Sequence, residues 1–486
     1  MKKVKKLLTV LTVLITITPM FVYAAPPAPP SGGNGPGGQP GSSSANISHT
    51  GKTKITSDTT KENQTYSSTT GSQNALLVSG GTSTLNSPTI TKSGDSSGDD
   101  ADFYGTNAAL LVYNGATLNI NKGNITTNGA HANAVFAYGK GIININDSNI
   151  KTTSNNSGAI MVTGGGTLTA NNVTAETDGN SSAPIRSDRG GGTLTVNGGK
   201  YTSHGTGSPV IYSTADITVN DATFISTASE GVVVEGKNSV TLNNSTMEAT
   251  NTKLNGNSET YKSMFIYQSM SGDADEGTSS FTSKNSKITN NKGDIIFVTN
   301  TSTVINLENN EIVNNDSTGG FLKIGAAKWG NSGSNGGNVT LKMTNQKAEG
   351  DITVDNISTL DLSLSNKSLL KTSIDKENQA KKVNLSLSSD SVLVLTDDTY
   401  VDSLTNETTD NSNIYLNGHK LYVNNKETSA NTGTYTEITN TNDNINNKKE
   451  TDNNKNNLVY IIASSVAVLV LGTTVVITIK KRKNNN

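Results

Sequence analysis

The chain has 486 residues, 47 of them glycine, with no cysteine, one tryptophan and a formal charge of −2. The near balance of charge gives no electrostatic argument for nucleic acid as a partner, and the absence of cysteine excludes disulfides and thiol chemistry. Hydrophobic residues make up 32%, low for a globular core of this length but compatible with a thin solenoid, which has little interior per residue.

Residues 1–24 read as a secretory signal peptide. Lys2, Lys3, Lys5 and Lys6 precede an apolar run from Leu7 to Ile17, and Val22, Tyr23 and Ala24 end on the small residue a signal peptidase reads. Residues 25–44 are rich in Pro, Gly and Ser and are expected to form a flexible linker.

A repeat body follows over residues 45–425. Each unit pairs an apolar run with a Thr/Asn-rich alternating run. Aligned on the small residue that opens each apolar run, Ala109, Ala134, Ala159, Ala183, Pro209 and Val232 are separated by 25, 25, 24, 26 and 23 residues. The alternating runs (TLNINKG, IININDS, TLTANNV, TLTVNGG) are half-buried strands by pattern. Each closes on a residue suited to a tight turn: Asn121, Asp147, Asn172, Asn197, Asn220 and Asn243. A period near 25 predicts an all-β fold, a single-stranded right-handed parallel β-helix with one coil per repeat. Propeller blades need about 40–50 residues. Roughly 15 coils at ~4.8 Å each would give a rod on the order of 70 Å long.

Two steps run long, Ala75 to Ala109 (34 residues) and Val232 to Met264 (32 residues). Asp95, Asp99, Asp100 and Asp102 lie in the first insertion, and Asp273, Asp275 and Glu276 flank the second. Flexible acidic loops are candidate Ca²⁺ ligands, although neither matches a known calcium loop, and solvated loops are the competing reading. No other cofactor is expected. Past Gly350 the repeats shorten, and Asn413 to Asn425 is expected to close the open end of the solenoid. Residues 426–457 read as a disordered Thr/Asn/Lys stalk. Residues 458–479 carry no charge over 22 positions and read as a transmembrane helix, and the basic tail 480–486 should lie in the cytoplasm. The expected location is therefore the cell membrane, single-pass, with the repeat body outside the cell.

The repeats quoted above resemble the right-handed parallel β-helix (pectate-lyase-like) group, which includes lyases, polysaccharide-binding β-helices and bacterial adhesins. GTGSPVIYSTADITV, PIRSDRGGGTLTV and FIYQSMSGDA look more closely like a family of surface proteins of clostridia and related Gram-positive bacteria with no assigned activity. The resemblance covers residues 45–425. It implies the fold and an extracellular, cell-surface setting, and it leaves function open because such solenoids host both enzymes and binders.

Arg186 and Arg189 are the only arginines before the apolar C-terminal segment, and Asp188 lies between them. A guanidinium suits carboxylates, phosphates and stacked sugar faces. Aligned by repeat, the fourth position of the apolar run reads Val112, Ala137, Val162, Arg186, Tyr212, Glu235, Tyr267, Val298. Four consecutive coils thus replace an aliphatic residue by Arg, Tyr, Glu and Tyr, and Gln268 adds a polar group. Such a strip suits a carbohydrate chain. A solvated face with an Arg186–Glu235 surface pair is the alternative. Phe103, Tyr104 and Tyr261 are placed to flank the strip. The histidines His49, His131, His204 and His419 are scattered without metal spacing, and no nucleophile elbow, phosphate loop or zinc motif occurs. The expected function is a non-enzymatic adhesin or carbohydrate-binding module. Its partner would be an extracellular polysaccharide or a host or neighbouring cell surface, with attachment to the membrane through the C-terminal helix and no nucleic acid bound. A polysaccharide lyase or hydrolase and a structural surface spacer are the alternatives.

Overall fold

Alternation along the strands sorts every coil into an inside and an outside. In the computed structural model, which describes residues 47–437 apart from Asn257, the chain winds as an all-β parallel solenoid of about 15 turns with about 25 residues per turn. Each regular coil contributes one strand to each of three parallel sheets of 12, 14 and 10 strands. The first sheet runs from Gly51–Ile55 to Ile352–Val354, the second from Thr59–Glu62 to Ser403–Asn406, and the third from Thr65–Ser68 to Glu311–Asn314. The solenoid lies in one compact unit that ends at Tyr435.

The interior is built from stacks of like residues. In the second sheet Leu118, Ile143, Leu168, Leu194, Ile217, Val240, Phe281 and Ile305 stand one above another. In the third, Ile90, Ile125, Ile150, Ala175, Tyr201, Phe224 and Met247 do the same, the small Ala175 lying directly below the large Tyr201. All are buried and belong to one continuous core. Each coil therefore completes the core of its neighbours, which is why no repeat could fold alone.

The turn after the second sheet carries a side-chain ladder. Asn121, Asn146, Asn171, Asn197, Asn220 and Asn243 each donate from Nδ2 to the Oδ1 of the asparagine one coil before, starting from Asn86, at 2.7–2.9 Å. Asp147 and Asn172, expected at the same place, sit one residue later, where φ is 48° and 52°. There Asx residues tolerate the left-handed backbone that ends the strand. Thr127, Thr152, Thr177, Ser203 and Ser226 form a buried polar column at the end of the third sheet. Lys92 continues it, donating to the carbonyls of Thr70 and Gly94, and burial lowers its ammonium pKa to about 8.

After Glu311–Asn314 the third sheet gives way to a four-stranded sheet running from Lys347–Glu349 to Ile414–Tyr415. The strand Leu421–Val423 then meets Lys426–Glu427, the one antiparallel pair among the described residues. This turn-back pairs the edge strand Leu421–Val423, which lies in the segment expected to close the solenoid, but the returning strand belongs to the first residues of the expected disordered stalk, which are ordered here. No described helix is long and apolar enough to cross a membrane. The signal peptide at 1–24, the linker at 25–44, most of the stalk at 426–457, the span at 458–479 and the tail at 480–486 lie outside the described residues.

Candidate functional site

The outward face of the first sheet positions the site. Its register aligns Leu77, Leu111, Phe136, Met161, Arg186, Tyr212, Val233, Phe265, Phe297 and Lys323 in one outward column. The first insertion covers the early part, so Leu77, Leu111, Phe136 and Met161 are buried together with Ala108 although they point away from the core. Ala327 and Trp329 cover the later part, over Val233, Phe265 and Phe297. Arg186 and Tyr212 occupy the gap between the two apolar patches.

This register corrects the alignment drawn from the sequence. Val162 pairs with Ser187, and Arg186 with Met161. Tyr212 pairs with Val233, 21 residues on, whereas the expected pairings of Arg186 with Tyr212 and of Glu235 with Tyr267 are kept. Val112, Ala137, Val162 and Val298 therefore belong to an interior column, not to the strip. The corners between sheets gain or lose one or two residues from coil to coil, and counting from the start of each apolar run cannot see this.

The strip residues still meet, because the tyrosines are long. Tyr212 donates to Glu235 Oε2, Tyr267 donates to the same oxygen at 2.9 Å, and Ser269 donates to Oε1. The Arg186–Glu235 surface pair is not formed. Arg186 Nη2 instead donates to Asp188 Oδ2 at 2.9 Å, and its Nη1 to the Ser181 carbonyl. Arg186, Asp188, Tyr212 and Tyr267 line one cavity of about 230 Å³ with Phe103, Ala183, Pro209, Asn255 and Asp273. Gln268 stands apart: it is buried, and its Nε2 donates to the Ala274 carbonyl.

The first insertion and the loop after Tyr267, which flanks the second, converge on Arg189. Its Nη1 donates to Asp99 at 2.7 Å, its Nε donates to Asp273 at 2.6 Å, and its guanidinium carbon lies 3.8 Å from the centre of the Phe103 ring. The turn that follows is Gly190, Gly191 and Gly192, all at positive φ. At Gly192 a side chain would run into the Gly166 carbonyl of the coil below. Asp273 and Arg189 also border a neighbouring groove of about 570 Å³ lined by Tyr104, Tyr138, Thr214 and Lys237. Tyr261 does not join either space; Lys292 lies over its ring.

Burial sets the electrostatics. It pushes Asp188 up to about 6, against the pull of Arg186 beside it. Burial also raises Glu235, and the three hydroxyl donors act in the opposite direction. Tyr212 and Tyr267 are held well above the usual phenol range by burial and by the Glu235 charge.

The acidic residues read as Ca²⁺ candidates are dispersed among other partners. Asp95 accepts from the Ala130 amide, Asp99 and Asp273 from Arg189, and Asp102 from His131, while Asp275 pairs with Lys237. Asp99, Asp100 and Asp102 sit in the first turn of a short helix, Asp99–Tyr104, a favourable place for negative charge and not a cation loop. Glu276 is exposed. The carboxylate–histidine groups that do converge among the described residues lie elsewhere. They are Glu176, Asp178 and His204, already bridged by Lys151, and Asp397, Asp398 and His419.

The sequence reading missed Trp329, Pro209 and Asn255, which come from unrelated points of the repeat and carry no motif. The available signals were the two long coils and, in other coils, the only arginines of the body. Comparison with protein-family models, curated proteins and solved structures finds no match to this chain.

Proposed function

We propose that this chain is a cell-surface module whose solenoid holds one sugar ring of an extracellular polysaccharide in the cavity between Arg186 and Asp273. One observation carries the reading: Arg186, Asp188, Tyr212, Tyr267 and Asp273, drawn from three parts of the solenoid, line a single cavity. Its volume of about 230 Å³ is below the usual range for drug-sized ligands, roughly 300–1,000 Å³, and suits a single ring better than a long oligomer. Phe103 and the two tyrosines provide apolar faces, and the charged groups provide partners for hydroxyls. The fold resemblance to polysaccharide-binding β-helices points the same way, as does an expected membrane anchor that would keep a binder at the cell.

The full chain in detergent, applied to a glycan array, tests this. Asn255 is exposed on the loop at the cavity mouth, so Asn255→Trp should block binding without altering thermal unfolding. Binding that survives this change removes the site, and no binding to any polymer removes the reading in favour of a surface spacer.

Glycoside hydrolysis is a second reading, favoured by the two carboxyls, Asp188 and Asp273, on one cavity wall and by the raised Asp188. Release of reducing ends from a bound glycan, lost in Asp188→Asn, would establish it.

A further inference from the structure

The charges at and behind the cavity do not cancel. Arg186, Asp188 and Asp273 line it, and Arg189, Asp99 and Glu235 lie behind them, bonded to lining residues or to one another, which sets four carboxylates against two guanidiniums. Both guanidiniums are committed: Arg186 to Asp188, and Arg189 to Asp99 and Asp273. Glu235 is the group left over. It is 1% exposed, and its polar side-chain partners among the described residues are all hydroxyls, those of Tyr212, Tyr267 and Ser269. A buried carboxylate without a cation is costly, and hydroxyl donors offset only part of that cost.

The two tyrosines carry this charge to the cavity wall. A phenol that donates its proton to a carboxylate gains electron density in its ring, and an electron-rich ring attracts a cation over its face. Phe265 stacks on the Tyr267 ring with centroids 4.3 Å apart, and Trp329 meets its edge, so the ring is fixed in place. Phe103 adds an aromatic wall contributed by the insertion. The unpaired Glu235 charge behind the phenol rings and the small volume together select against a carboxylate-bearing ring. A uronic acid would bring a further negative charge into a site already short of positive charge.

We propose that the cavity takes an amine-bearing sugar, a 2-amino-2-deoxyhexose unit with its amino group free, in preference to the N-acetylated unit or a uronic acid. This rests on the carbohydrate-binding reading above and names its substrate class. The free ammonium supplies the cation that Glu235 lacks, and the ring occupies the space among Tyr212, Tyr267 and Phe103.

The test is titration calorimetry of the full chain in detergent, near neutral pH, with three probes of equal length: a glucosamine oligomer, its fully N-acetylated counterpart and an oligogalacturonate. We expect the amine oligomer to bind about tenfold or more tighter than the N-acetylated one, the equivalent of about 1.4 kcal/mol, and the uronate to bind weakest. Glu235→Gln keeps an acceptor for the tyrosines and removes the charge, so it should abolish the preference. Asn255→Lys places a cation at the mouth on an exposed loop, where folding is not at risk, and should weaken the amine oligomer selectively. Equal binding of the amine and N-acetylated oligomers, still blocked by Asn255→Trp, would overturn the amine preference and leave the carbohydrate site standing. Tightest binding of the uronate would have the same meaning. No binding of any probe or any arrayed polymer would remove both.

Discussion

Removing the Arg189 side chain should unfasten the first insertion and the Asp273 loop at once. Arg189 and Asp273 are each 17% exposed and meet at 2.6 Å, a charge-assisted hydrogen bond worth about 1.5–3 kcal/mol. The Asp99 end is 62% exposed, so solvent screens it to about 0.2–1 kcal/mol. The Phe103 ring beneath the guanidinium adds about 0.5–2 kcal/mol. A local loss of about 3 kcal/mol raises the population of opened segments about 100-fold. In Arg189→Gln, amide hydrogen exchange should therefore accelerate by about two orders of magnitude over residues 99–104 and 270–276. The coil strands beneath, such as Ile160–Thr163, should exchange as before, because their ladder bonds do not involve the arginine. Glycan binding should fall in parallel, since Phe103 and Asp273 both line the cavity. Unchanged exchange in either segment would refute the idea that one guanidinium holds the two together.

Three further outcomes follow from the same geometry. Asp188 titrates near 6 in the fold against 3.8 when exposed; a folded pKa raised in this way means that stability is fullest below about 3.8 and is lost as pH rises through about 6. The shift is worth at most about 3 kcal/mol, so the stability gap between Asp188→Asn and the wild type should widen over that window in denaturant titrations, and a constant gap would refute the assignment. Asn171→Ala removes two ladder bonds of 2.7 and 2.8 Å and should cost about 1–3 kcal/mol, whereas Asn172→Gly, at φ 52°, should be nearly neutral; equal losses would refute the ladder. Phe136→Ala should cost about 3–5 kcal/mol, since this outward residue is fully buried beneath the first insertion; a loss under about 1 kcal/mol, in the range of surface changes, would show that the insertion does not pack there.

The parallel solenoid, the length of its coils and the Asn-rich turns are legible in the one-dimensional pattern. The reason is that they repeat: alternation of period two, turn residues after each strand and a return every 25 or so residues are local properties that each coil states again. Asn197, Asn220 and Asn243 could be placed on the ladder for this reason. The site did not repeat and was legible only as an address. Arg186, Asp188, Tyr212 and Tyr267 were singled out as neighbours by a register that the structure keeps for Arg186–Tyr212 and Glu235–Tyr267 and breaks between Tyr212 and Glu235. Tyr212 and Glu235 meet diagonally across coils and not in one column.

Tertiary structure alone decided three things. It set the register of the first sheet, because corner lengths vary without any mark in the pattern of the strands. It buried parts of an outward column, because the first insertion folds back over Phe136 and Met161 while Trp329 covers Phe265. It also brought Asp99 and Asp273 to Arg189 from 90 and 84 residues away. A solenoid stacks distant coils at strand spacing, so an exception in one coil acquires its meaning from the coils above and below it.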